Sequence, residues 1–208
     1  MSTLRDWMTE NNINTDKALC MSIGTDGFKA GRDNIMSLSF AGEHVMGGGH
    51  VTYFIEGADL LKPRIVEVTG VTEAYYQQRA LGMKRAQELF LEYVLDSSCL
   101  ITYSLSKFHG RWIEECPDCI RALPALDITN VYKLHDNRDN FPFDLDTITS
   151  LDQRLDSSYK HMSKGWSFGD ICKNNLPHPR EYMKETITEQ RIEDLWLLWT
   201  VALDRRTA

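Results

Sequence analysis

Short apolar runs along the chain, each closed by glycine, proline or polar residues, predict five β-strands. A turn with glycine follows the first run, and the glycine-rich connection GEHVMGGG follows the second. The first three strands are therefore predicted to form an antiparallel meander, with a parallel element to follow. The five runs are Ala18–Ile23, Ile35–Phe40, His50–Ile55, Cys99–Tyr103 and Leu123–Ile128.

Apolar residues at helical spacing predict helices between and around these strands. Leu4, Trp7 and Met8 share the i, i+3, i+4 spacing of one helical face near the start of the chain. The same type of pattern predicts an amphipathic helix over Met83–Leu95, and Thr72 is suited to cap a helix that begins beside it. These elements would cover the faces of the sheet.

The last apolar pattern predicts a long closing helix. It begins with a capping box formed by Thr186 and Glu189. Its apolar positions repeat at i, i+3, i+4 and i+7, which predicts that its tryptophans lie in the core and do not stack on nucleic acid. The repeating residues are Ile192, Leu195, Trp196, Trp199, Ala202 and Leu203.

The second half of the chain is less regular. Helices are predicted over Ser106–Glu115 and Trp166–Asn174. Between them, the polar segment from Thr129 to Lys164 is longer than most connections and is interpreted as a surface insertion, with a short helix over Thr147–Leu155. Such insertions often make partner contacts. The whole pattern predicts one α/β domain over residues 1–208, with a mixed five-stranded sheet flanked by helices.

Composition and charge narrow the class of partner. The 208 residues carry a net charge of −7, so the chain lacks the positive field that attracts phosphate backbones. A protein partner is favoured over nucleic acid, although a DNA or RNA end stays open. No apolar run reaches membrane-spanning length and the first residues do not resemble a signal peptide, so we expect no membrane partner and a cytoplasmic location.

Five cysteines cannot all form disulfide pairs. Cys20, Cys99 and Cys172 lie in apolar segments and are expected to be buried and reduced. Cys116 and Cys119 form a CxxC motif for which no second metal-ligating pair is evident. We interpret this motif as the end of a helix, with metal or redox chemistry as the alternative.

The order of these elements, together with two short motifs, resembles the DnaQ-like (DEDD) 3'-5' exonucleases, which have an RNase H-like fold. The family's first strand carries D-x-E-T-T-G, which falls on SIGTDG of this chain. Ser22 and Gly24 then occupy the positions of the two family acids. The segment VTGVTE is similar to the family's I-x-V-H-G-I-T-x-E, with Thr69 in place of the histidine.

The resemblance also implies positions for the remaining catalytic residues. His109 falls where the third family acid belongs, Asp194 falls on the last one, and Glu189 stands at the position of the general-base histidine. Family enzymes hold two divalent metals between four carboxylates, and magnesium prefers such oxygen ligands. Because Ser22 and Gly24 provide no charge, the resemblance implies vestigial catalytic positions and no metal cofactor.

Two functional hypotheses follow from the resemblance. The first is a catalytically degenerate exonuclease-fold protein that binds a protein or nucleic-acid partner, with Thr25, Asp26 and Gly27 at the nucleic-acid-binding turn. The alternative is an active 3'-5' exonuclease, dependent on Mg²⁺ or Mn²⁺, in which Asp26, Glu43 or Glu193 completes a rearranged metal site. A third possibility is an α/β domain that shares only short motifs with the family.

Overall fold

The computed structural model describes residues 3–26, 33–57, 63–103, 123–128, 131–132, 149–150, 168–176 and 187–204. Within these residues the chain forms a mixed seven-stranded sheet in the order β4-β3-β2-β1-β5-β6-β7. The strands are β1 (Ala18–Thr25), β2 (Ile35–Gly42), β3 (Gly49–Ile55), β4 (Ala80–Leu81), β5 (Cys99–Thr102), β6 (Pro124–Asp127) and β7 (Thr149–Ser150).

All five predicted strands are confirmed, and so is the antiparallel meander. β1 pairs with β2 and β2 pairs with β3 in antiparallel registers, whereas β5 and β6 extend the sheet from β1 in parallel. Two strands of two residues lengthen the sheet at its edges: β4 runs parallel to β3 and β7 runs antiparallel to β6.

The helix predicted over Thr147–Leu155 is wrong at its centre, because Thr149–Ser150 is strand β7. Ser150 pairs with Pro124 and Thr149 pairs with Ala125, so these two residues form an edge strand of the sheet. Pairing with a neighbouring strand overrides a weak local preference for helix.

Helices cover both faces of the sheet. The helices are α1 (Leu4–Glu10), α2 (Pro63–Thr69), α3 (Glu73–Arg79), α4 (Met83–Leu95), α5 (Phe168–Asn175) and α6 (Ile187–Leu203). A capping box starts α1, in which Thr3 Oγ1 accepts from the Asp6 backbone N–H and the Thr3 backbone N–H donates to Asp6. Thr72 caps α3 as predicted, accepting from the Tyr75 backbone N–H at 3.3 Å.

Helix α2 was not predicted, because the sequence pattern indicated no element over Pro63–Thr69. Proline is favoured at the first helical position, where its missing N–H costs nothing. Gly70 ends the helix with φ of 70°, and its N–H donates to the Val66 carbonyl at 2.8 Å. Ile65 buries against Tyr76 and Phe54, which gives this short helix its tertiary support.

Alternation along β1 separates two apolar clusters. Cys20 packs with Leu195 of α6 on one face, whereas Met21 packs with Phe90 of α4 on the other. Cys20 and Cys99 are buried, as is Cys172, which confirms their expected environment. Burial raises the pKa of the Cys20 and Cys99 thiols, so they stay protonated at neutral pH.

Several predictions lie outside the described residues: the helix over 106–115, the Cys116–Cys119 motif, the Thr186 cap and most of the insertion from 129 to 164. Across the ranges that are described, none of the helices combines the length and the apolar character that crossing a bilayer requires.

Candidate functional site

Ser22 lies where the resemblance places the first catalytic acid, near the end of β1. It follows Cys20 by two residues, so its side chain faces α6. The side chain is only 4% exposed, and its Oγ lies 3.4 Å from Tyr103 Oη. Tyr103 stacks on Phe168 of α5 with ring centroids 4.4 Å apart. The position therefore holds a buried, neutral hydroxyl beside Tyr103.

Gly24 stands at the position of the second family acid, and β2 fills the space that a side chain would need. A Cβ added to Gly24 would lie 2.4 Å from Ser37 Oγ and 3.5 Å from Met36 Cε. The strand register explains this crowding. Gly24 faces Ser37 whereas Thr25 faces Ile35, so Met36 is an extra residue that bulges from β2. A glutamate cannot be placed here unless Ser37 moves.

Hydroxyl groups continue across the sheet next to this position. Ser22 faces Ser39, and Ser39 Oγ lies 2.8 Å from Thr52 Oγ1 of β3. Ser37 is fully buried, and its Oγ has no hydrogen-bond partner among the described residues. The sheet surface that would form the floor of an exonuclease site is thus polar but uncharged.

Asp26, one of the predicted binding residues, closes the hairpin between β1 and β2. Its Oδ1 accepts from the Asn34 backbone N–H at 2.7 Å and its Oδ2 accepts from Asn34 Nδ2 at 2.9 Å. The Asp26 N–H donates in return to the Asn34 carbonyl at 3.1 Å. The carboxylate is 2% exposed and holds the turn together. Thr25 precedes it in β1, and Gly27 lies outside the described residues.

Glu189, at the position of the family's general base, belongs to a contact between α3 and α6. Its Oε1 accepts from Tyr75 Oη at 2.9 Å and lies 3.5 Å from Arg79 Nη1. The Arg79 guanidinium also lies 4.3 Å above the centre of the Tyr75 ring. Burial, and next the hydrogen bond to Glu189, raises the pKa of Tyr75.

Of the remaining candidates, two lie in α6, one follows β2, and one lies outside the described residues. Asp194 is buried in α6, and His109 lies outside the described residues. Glu43 follows β2 and lines a cleft with Ala18 at the start of β1, at the opposite end of that strand from Gly24. Glu193 lies beside Asp194 in α6 and is half-buried. A rearranged site using Glu43 would need it to act across the length of β1.

These residues do not fit a pair of divalent metals. Magnesium needs several oxygen ligands in octahedral geometry, and carboxylates supply the neutralising charge. Here the first two acid positions hold a hydroxyl and no side chain, both Asp26 oxygens accept from Asn34, and Glu189 Oε1 accepts from Tyr75. In the described part of the chain, no three His, Cys, Asp or Glu side chains form a group that could hold a metal ion.

Reasoning from the sequence missed the residues that contact these positions. Ser37 and Met36 were part of a predicted strand, but the bulge that brings both against Gly24 has no local signal. Tyr75 and Arg79 lie four residues apart on one helical face, which is the one sequence signal that could have indicated their shared contact with Glu189.

Comparisons with known proteins identify the fold through structure alone. No protein-family model and no curated protein sequence matches this chain. Among solved structures, E. coli exonuclease I in complex with a dA16 oligonucleotide superposes with a TM-score of 0.51 at 14% identity, covering 88% of this chain and 42% of that one.

Two further matches are exonuclease I from Methylocaldum szegediense, with a TM-score of 0.48 at 16% identity, and cell-death related nuclease 4, with 0.47 at 11%. Each match covers 88% of this chain. The matched region is 42% of the exonuclease I chain from Methylocaldum szegediense and 64% of cell-death related nuclease 4. This chain spans less than half the length of the exonuclease I chains. The mixed sheet and the likeness to E. coli exonuclease I show that this chain has an α/β fold similar to that of exonuclease I.

Proposed function

We propose that this chain is a catalytically degenerate exonuclease-fold protein that acts by binding a partner. The observation that carries the proposal is the packing at Gly24, where Ser37 Oγ would lie 2.4 Å from any added Cβ. An acid at this position would also require the Ser37 hydroxyl to move, because that hydroxyl occupies the space that a Cβ on Gly24 needs. A fold can retain its scaffold while its site loses the original chemistry.

The carboxylates that remain support the same conclusion. Two-metal hydrolysis of a phosphodiester requires acids that hold both cations beside the attacking and leaving oxygens. Asp26 holds the β1–β2 turn and Glu189 holds α3 against α6. Asp194 alone cannot balance four positive charges. The hydroxyls of Ser22 and Ser37 have no described base beside them that could make them nucleophiles.

The partner is proposed to be a protein in preference to nucleic acid. The net charge of −7 repels phosphate backbones at long range, and the hydroxyl-lined floor adds no positive charge near Gly24. E. coli exonuclease I was solved with an oligonucleotide, so its surface accepts DNA. Thr25, Asp26 and Gly27 remain the candidate contacts of this chain if its partner is instead a DNA or RNA end.

A nuclease assay tests the proposal. Purified protein is incubated with 3'-labelled single-stranded DNA and RNA, with Mg²⁺ or Mn²⁺, beside a matched Asp194→Asn variant. We expect no shortening of either substrate by either protein. Metal-dependent trimming by the unmodified chain that disappears in Asp194→Asn would overturn the proposal and establish the alternative, an active exonuclease with rearranged ligands. Trimming that persists in the variant and stays with the chain through a further purification step would also overturn the proposal, since a site without Asp194 would then be active. Trimming that is lost in that step would come from a contaminating nuclease.

A further inference from the structure

The second half of α6 is apolar on its outer side as well as on its inner side. From Leu195 to Leu203 the helix carries no charged residue. Leu195, Trp199 and Leu203 pack into the core, yet Leu197 on the other side is 38% exposed. Helices at the surface of a globular protein normally present charged or polar residues outward. An outer face of this composition favours contact with another molecule.

A cleft of about 390 Å³ lies beside this face, between α6, α1 and the start of β1. Ala18, Trp199 and Leu203 line it and are almost completely buried, so its floor is apolar. Trp196 and Thr200 form the wall on the α6 side, and both remain half-exposed. The cleft is thus continuous with the apolar outer face of α6.

Acidic groups dominate the rim of the cleft. Among the described residues that line the cleft, Arg5 is the one cation, and it lies 3.7 Å from Asp16. Arg5 also lies 3.9 Å from Asp204, which follows Leu203 and does not line the cleft. Glu43 is exposed on the rim and forms no ion pair with any residue in the described ranges. Two carboxylates against one guanidinium leave the described lining with a charge of about −1 at neutral pH.

Building on the proposed binding role, we propose that this cleft and the adjoining α6 face, Leu197 included, dock a protein segment that carries a lysine or arginine beside aliphatic residues. The aliphatic stem of the basic side chain lies along Trp196, Trp199 and Leu203. Its cation meets Glu43 and the half-exposed Trp196 ring, which attracts cations through its π-face. The neighbouring aliphatic side chains cover Leu197.

Electrostatic repulsion disfavours the two other molecules that could occupy this surface, a second copy of the chain and a nucleic acid. A second copy of this chain would bring two acidic rims together, since each copy carries −7 overall. A nucleic acid would place its phosphates beside Glu43 and Asp16. A protein segment with basic and aliphatic side chains complements both the apolar floor and the acidic rim of the cleft.

The test uses the full chain and a fluorescein-labelled amphipathic peptide built from leucine and lysine, with a matched leucine–glutamate peptide. Binding is followed by anisotropy and by the emission of the tryptophans. We expect the lysine peptide to bind and the glutamate peptide to bind at least about tenfold more weakly. Asp16→Lys combined with Glu43→Lys should weaken the lysine peptide about tenfold or more, and Leu197→Asp should also weaken it.

Glu67→Lys is the matched control, because Glu67 is exposed on α2 and does not line the cleft. It should bind the lysine peptide as the unmodified chain does. Equal binding of the two peptides, or unchanged binding in the Asp16→Lys/Glu43→Lys variant, would overturn the inference. So would a dimer in light scattering that Leu197→Asp dissociates. None of these results bears on the nuclease assay, so the docking surface can fail while the degenerate function stands.

Discussion

Gly24 and Ser37 face each other across β1 and β2 at a separation that leaves no room for a carbon on Gly24. The conformation of Gly24 itself lies in an ordinary strand, so the constraint is one of contact and not of backbone angles. Ser37 contributes a buried hydroxyl with no hydrogen-bond partner in the described residues, which itself costs stability. The two residues should therefore be coupled energetically.

Alanine substitutions at Gly24 and Ser37 test this coupling. Gly24→Ala alone should lower the free energy of unfolding by about 1–3 kcal/mol, the range typical of overpacking. With Ser37→Ala in place, the nearest carbon of that residue lies 3.7 Å from the new Cβ, which is ordinary contact, so the cost should fall by more than half. Urea denaturation of the four proteins of the cycle provides the measurement.

Gly49→Ala in β3 is the control, because its added Cβ would meet nothing closer than the Val45 carbonyl at 3.9 Å. We expect this control to leave stability within about 0.5 kcal/mol of the unmodified chain, as for most substitutions without a specific clash. The crowding argument would be refuted by a Gly24→Ala cost that is the same with serine and with alanine at position 37.

At the scale of elements, the sequence predicted what repeats locally and missed what depends on pairing at a distance. β1, β2 and β3 contain apolar runs within seven or eight residues, and Met83–Leu95 keeps one apolar face, so each has a clear local signal. β4 and β7 have two residues each and exist only because a neighbouring strand pairs with them. No period can be recognised in two residues.

The same limit applies to the site. The neutral residues Ser22 and Gly24 could be recognised from one motif, because a motif is local. The bulge at Met36 could not, since it depends on how β2 is registered against β1. The partners of Glu189 also come from a distant segment: Tyr75 lies on α3, more than a hundred positions earlier in the chain.

The contact between α3 and α6 leads to a prediction about Glu189. If Glu189 stabilises the contact between α3 and α6, Glu189→Gln should lower the free energy of unfolding by about 0.5–1.5 kcal/mol. This is the range expected for one partly exposed hydrogen bond and ion pair. In the Tyr75→Phe background the same substitution should cost clearly less, since the hydroxyl donor is absent. Chemical denaturation at neutral pH checks both values.

The pKa of Tyr75 sets the pH above which the contact between α3 and α6 weakens. Burial and Glu189 raise its pKa in the folded state above the ordinary value of 10.0. An acid whose pKa is raised by folding retains its proton longer in the native state, so its stabilising contribution is complete below pH 10 and is lost as the pH rises through the folded value. Glu189→Gln should therefore lower the pKa of Tyr75, measured as the tyrosinate absorbance that Tyr75→Phe removes. An unchanged titration would place Glu189 elsewhere in solution.

For the whole molecule, the question is whether divalent metals stabilise it. A ligand that binds only the folded state stabilises it by RT ln(1 + [L]/Kd), so 1 mM Mn²⁺ at a site with a Kd of about 0.1 mM would add about 1.4 kcal/mol. For a chain of this size that corresponds to a rise in Tm of about 3–6 °C. Because the acid positions hold Ser22 and Gly24, we expect a rise below about 1 °C in Mn²⁺ or Mg²⁺, relative to NaCl at equal ionic strength. A rise of several degrees that Asp194→Asn abolishes would show a functioning metal site despite the neutral floor, and with it the active alternative would regain its physical basis.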